Sequence, residues 1–107
     1  MPFEIVLAPT AVTELQALRA DIRSRVRGAI EQHLRHEPTK LSRSRIKRLR
    51  GLRRPQYRLR VDEVRVFYDV TETAVEVLAI VPKRQAEGWL AQQGTPSPPD
   101  SLGQGEG

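Results

Sequence analysis

Cysteine is absent from the 107 residues. Neither a disulfide nor a thiolate metal site is therefore available, and a cytoplasmic protein is the expectation. Only two histidines occur, His33 and His36; zinc usually takes about four ligands, so they alone make a poor metal site. No metal and no cofactor is expected. No apolar run approaches the roughly 20 residues of a membrane-spanning helix. The start, Met1-Pro2-Phe3-Glu4, has neither a basic opening nor an apolar stretch behind it, so no secretory signal is expected. Acidic residues are missing from one region in particular. Eleven lysines and arginines lie from Arg35 to Arg60, with Glu37 the only acid among them. Beyond Arg65 the only basic residues are Lys83 and Arg84. The net charge of +5 is thus a local field, whose natural partner is a polyanion.

What remains is a foldable chain: 38% of residues are hydrophobic and 29% charged, the balance of a globular domain with one core. Phe3, Ile5 and Leu7 alternate, as in a short strand. Pro9 then suits a first helical position, and Val12, Leu15 and Leu18 recur at helical spacing. A second stripe follows in Ile22, Val26, Ile30 and Leu34. A helical hairpin broken near Ala20 fits both stripes; one long kinked helix is the alternative. Both histidines fall at the end of the second stripe, where a solvated cap is their ordinary role, and Pro38 stops the helix. Residues 39–45 read as a polar, basic loop. The period then switches to alternation in 57–61 and 64–70, around a turn at Asp62-Glu63. Val75 to Val81 is almost continuously apolar and suits a strand covered on both faces. Pro82 stops it, and Lys83 to Gln92 can form a final helix. The expectation is one domain over residues 1–92 and a disordered tail over 93–107, rich in proline and glycine. The fold class is α+β: an N-terminal strand and an α-hairpin packed on one face of an antiparallel β-sheet, with a short C-terminal helix.

The hairpin at Asp62-Glu63 predicts five pairs: Val61 with Val64, Arg60 with Arg65, Leu59 with Val66, Arg58 with Phe67, and Tyr57 with Tyr68. One face is then apolar and suited to packing under helices. The other gathers Arg58, Arg60, Arg65 and Phe67. Like charges placed opposite one another destabilise a sheet; two unit charges about 5 Å apart repel by roughly 1 kcal/mol in water, and by more at lower dielectric. A bound phosphate converts that repulsion into shared attraction, and guanidinium suits phosphate with its permanent charge and forked donors. Phe67 can stack on a base or pack, and the same choice stands for Trp89.

The run Lys47-Arg48-Leu49-Arg50-Gly51, then Tyr57-Arg58-Leu59-Arg60-Val61, then Val64-Arg65-Val66-Phe67-Tyr68-Asp69-Val70, then Val75 to Val81 with Lys83-Arg84, resembles the RelE/ParE superfamily in that order. The resemblance covers about residues 3–92 and implies a toxin of a type II toxin–antitoxin system, silenced by a cognate antitoxin protein. RelE-like members are metal-independent endoribonucleases that cut mRNA on the ribosome and inhibit translation. ParE-like members poison DNA gyrase by binding. A relic that only binds its antitoxin is a third possibility. The resemblance puts Arg58, Arg60, Arg65 and Arg84 in the catalytic set. Lys47, Arg48, Arg50, Arg53, Arg54, Phe67, Lys83 and Trp89 become the RNA-binding set. The nuclease prototype carries a tyrosine six residues after the arginine that Arg84 matches; here Leu90 stands there, with Trp89 beside it, and neither can exchange a proton as a phenol does. Lys83 and Glu87 lie near that position.

Overall fold

The two alternating segments form the centre of the fold, in the register that the hairpin dictates. In a computed structural model, which describes residues 2–97, β4 (Tyr57–Val61) and β5 (Val64–Val70) pair as Tyr57–Tyr68, Arg58–Phe67, Leu59–Val66, Arg60–Arg65 and Val61–Val64. All five expected pairs are present. Asp62 opens the two-residue turn with φ of 52°, a conformation a hairpin turn demands and aspartate tolerates better than most residues. Its carboxylate receives Arg25 Nη1 at 2.8 Å, which ties the turn to the second helix.

Around this hairpin the chain runs β1 (Glu4–Leu7), α1 (Pro9–Ala17), α2 (Ala20–Ala29), β2 (Ile46–Arg48), β3 (Leu52–Arg54), β4, β5, β6 (Ala74–Pro82), α3 (Lys83–Gln93) and β7 (Thr95–Pro96). The main sheet has the order β1-β6-β5-β4-β2. Its meander is antiparallel as expected, but β1 lies parallel to β6, so the five-stranded sheet is mixed. The parallel pair follows from the connection: the helical hairpin carries the chain from one end of β1 to the far edge, and β6 returns beside β1 after the meander. A separate small ribbon joins β3 to β7.

Pro9 occupies the first turn of α1, where its missing N–H costs nothing. Extended backbone at Leu18 and Arg19 separates α1 from α2, so the helical hairpin, not one kinked helix, is present. Apolar residues four apart drift by about 40° per step around an α-helix. The wider π turn over Ile30–Leu34 takes up that drift, and Val26, Ile30 and Leu34 all stay buried. They pack with Leu59, Val66, Tyr68, Val75 and Val77 in the main core. A β-bulge interrupts β5–β6 between Phe67 and Tyr68, and α1 satisfies the groups it frees: Ile80 N–H donates to Glu14 Oε1 at 2.8 Å and Thr10 Oγ1 donates to the Leu78 carbonyl at 3.4 Å.

The helices do not all share one face. While α1 and α2 cover the apolar face, α3 crosses the opposite one, where Phe67, Ala79 and Val81 meet Ala86, Trp89 and Leu90. The continuous apolar run of β6 is explained by that second cover. The final helix extends to Gln93, and Thr95–Pro96 pairs with Leu52–Arg54, so ordered chain continues past the expected boundary at 92. The remainder of the expected tail, 98–107, lies outside the described residues. No helix among the described residues is long and apolar enough to cross a membrane.

Candidate nucleic-acid interface

Beside α3, on the face that carries Arg58, Arg65 and Phe67, lies a groove of about 940 Å³. Lys47, Arg48 and Arg50 form one wall, Arg58 and Arg65 with Phe67 the floor, and Lys83 and Arg84 from the first turn of α3 the other wall. Seven cations thus meet two carboxylates, Glu63 and Glu87. Alternation places Lys47, Arg58 and Phe67 on this face, because Lys47 is directly opposite Arg58 and Arg58 opposite Phe67. Lys83 and Arg84 reach it because Pro82 ends β6 and starts the helix over the sheet, while the Lys83 N–H donates to the Glu63 carbonyl at 2.7 Å.

The floor arginines differ in how they are held. Arg65 is only 6% exposed, and its Nη1 donates to the carbonyls of Asp62 at 2.9 Å and Val64 at 3.1 Å. Burial, and then the neighbouring Arg60 charge, lower its pKa, with Glu63 opposing. Arg58 is half-buried and its Nε, shielded from solvent, has no hydrogen-bond partner. Burial lowers its pKa as well, followed by repulsion from Arg65 and Arg60. Arginine remains charged through such shifts. The result is a cationic floor with an unused buried donor, an arrangement completed by an anion.

Several expected site residues stand elsewhere. Arg60 is exposed and sits opposite Arg65, yet does not line the groove. Arg53 and Arg54 belong to β3, outside the groove, and Arg54 Nε faces the buried Asp69 carboxylate at 3.4 Å. Arg48 shares the opposite sheet face with its partner Tyr57. Its guanidinium is 5.2 Å from that ring and its Nη1 donates to the Gln56 carbonyl at 2.9 Å, so it contributes to the groove's rim rather than its floor. Phe67 and Trp89 were open between base stacking and packing. Their rings stack on each other at 5.1 Å, nearly parallel, and Phe67 is fully buried. With no exposed surface and its ring stacked on Trp89, Phe67 packs in this structure. Trp89 anchors α3 to the sheet. Glu63 and Leu49 were missed by sequence reading: the first looked like an ordinary turn residue, and the second like a lone leucine in a basic run.

Residues 5–87 match the family described as ParE toxin of type II toxin–antitoxin system, parDE. No curated protein matches the chain. Among solved structures, a chain of the archaeal RelE–RelB complex from Pyrococcus horikoshii OT3 superposes with a TM-score of 0.64 at 23% identity, covering 78% of this chain and 97% of that one. A chain of the RelBE2 toxin–antitoxin complex from Mycobacterium tuberculosis gives 0.63 at 23% identity, covering 77% and 99%. The RelB–RelE antitoxin–toxin complex from Methanococcus jannaschii gives 0.61 at 23% identity, covering 78% and 96%. These likenesses concern the fold: the α+β architecture with its mixed five-stranded sheet is that of the RelE-like structures. With most of its length matched by the family, the chain belongs to the ParE toxins of type II toxin–antitoxin systems, within the RelE/ParE superfamily.

Proposed function

We propose that this toxin is a ribosome-dependent, metal-independent endoribonuclease that acts in the cytoplasm, holds mRNA phosphates in its cationic groove, and inhibits translation by cutting the message. One observation carries the reading: cations from β2, β4, β5 and α3 converge on one groove, and the shielded Arg58 Nε there lacks a partner. Arg58, Arg65 and Arg84 would stabilise the charge that accumulates on phosphorus in the transition state, often the largest catalytic contribution. Lys47, Arg50 and Lys83 would position the backbone. The partner that silences the toxin would be a cognate antitoxin, as the assemblies of the three similar structures suggest. The test is a translation reaction with purified ribosomes, read by mapping the 3′ ends of the message. Discrete cuts are expected with the wild type, and Arg58→Gln should lower their rate by about 100-fold or more.

A second reading is inhibition of DNA gyrase by binding, and the family match itself favours it, because the matched description is ParE. A supercoiling assay with purified gyrase separates the two. Inhibition of supercoiling by a protein that leaves mRNA intact would establish the second reading and end the first.

A further inference from the structure

Phosphate-binding arginines stabilise charge, but RNA cleavage also needs a group to take the proton of the attacking 2′-hydroxyl. Arginine is a poor acceptor, with a pKa above about 12. Of the residues that line the groove, only Glu63 and Glu87 carry a carboxylate. Among the described residues the Glu63 carboxylate has no cation within 4.0 Å either, but it stands in the hairpin turn, where its charge favours the charged form of the buried Arg65. Glu87 is placed differently. It lies one turn into α3, three residues after Arg84 and four after Lys83, so all three share one helix face. That face lines the same groove as Arg58. Among the described residues no lysine, arginine or histidine nitrogen lies within 4.0 Å of its carboxylate. An acid that passes over so many nearby cations is available to a ligand.

We propose that Glu87 is the proton acceptor for RNA cleavage in this groove, an assignment that rests on the nuclease reading above. The 2′-oxygen attacks the adjacent phosphorus as its proton passes to the Glu87 carboxylate. The bond from phosphorus to the 5′-oxygen breaks, and its electron pair leaves on that oxygen, which takes a proton from water. Glu87 then returns its proton to the hydroxide formed. The products are a 2′,3′-cyclic phosphate and a 5′-hydroxyl, and no co-reactant is consumed.

The test is Glu87→Gln, which keeps shape and removes the acceptor; the site is exposed, so the fold should survive, as a melting curve checks. With purified ribosomes, kcat should fall by about 100-fold or more, and the acid limb of the pH–rate profile should vanish. Affinity for an uncleavable 2′-O-methyl oligonucleotide should be unchanged or higher, because a negative charge has left the groove. Glu87→Asp should recover part of the rate. A Glu87→Gln protein that cleaves within about threefold of a cleaving wild type overturns the assignment and leaves the nuclease reading standing. A rate that falls only in step with lost affinity also overturns it. A wild type that cleaves nothing overturns both.

Discussion

Removing either member of the Arg60–Arg65 pair deletes one positive charge, yet the two deletions should shift stability in opposite directions. The residues are directly opposed across β4 and β5, where Cβ atoms are about 5 Å apart. Arg65 folds its guanidinium back onto the Asp62 and Val64 carbonyls, whereas Arg60 is exposed. With charged heads about 7 Å apart, repulsion is about 0.6 kcal/mol at the dielectric of water and about 2.4 kcal/mol at an effective dielectric near 20. Exposure of Arg60 argues for the lower end. Arg60→Gln should therefore stabilise by about 0.5–1 kcal/mol, or roughly 2–8 °C in Tm for a domain of this size. The backbone bond from Arg60 N–H to the Arg45 carbonyl, 2.8 Å, is untouched by the substitution. Arg65→Gln gains the same relief but loses two charge-assisted hydrogen bonds in a buried setting, and should destabilise by about 1–3 kcal/mol net. Salt supplies the control, since the Debye length falls to about 3 Å at 1 M. Thermal melts of the two variants at low salt and at 1 M NaCl test this directly. A stabilisation by Arg60→Gln that persists unchanged at 1 M, or a loss of the same sign as Arg65→Gln, would refute the electrostatic account.

The register of β4 and β5 was legible because it is local: a two-residue turn and a period of two fix every pair from Tyr57–Tyr68 to Val61–Val64. The path of α3 was not. Its floor is built from Leu49, Phe67, Ala79 and Val81, residues from three separate segments. Each looks unremarkable in its own segment, and Phe67 in particular stands among arginines as if to meet a base. The apolar run of β6 announced cover on both faces without naming the cover. Strands β2, β3 and β7 are two or three residues long, shorter than any periodic signal, and they form because β2 finds its partner in β4 and β3 and β7 find theirs in each other. At Gly51, φ of 75° makes the turn between β2 and β3 in a region glycine favours. The same turn explains why one continuous basic run splits: Lys47 and Arg50 enter the groove, while Arg53 and Arg54 leave it.

Leu59 is fully buried between the sheet and α2, so Leu59→Ala should cost about 2–5 kcal/mol in chemical denaturation, and a loss below about 1 kcal/mol would contradict that packing. Burial raises the Asp69 pKa, partly offset by the Gln56 N–H and by Arg54. A raised carboxyl pKa favours the folded state at low pH and loses that advantage as pH climbs from about 4 through the folded value. The stability of the wild type relative to Asp69→Asn should therefore decline over that rise, and a difference that grows with pH would contradict the sign. The C-terminal ribbon gives the last test. Thr95–Pro96 pairs with Leu52–Arg54, Ser97 N–H donates to the Gly51 carbonyl at 3.0 Å, and a Cβ on Gly94 would fall 2.6 Å from the Leu90 carbonyl oxygen. A chain ending at Gln93 loses these hydrogen bonds, each worth about 1 kcal/mol net, and should be less stable than one ending at Ser97 by about 1–3 kcal/mol. It should also bind RNA less tightly, because the ribbon fastens α3, with Lys83 and Arg84, to the loop that carries Arg50. Equal melting of the two chains would mean that the apolar packing of α3 on the sheet holds it in place without the ribbon.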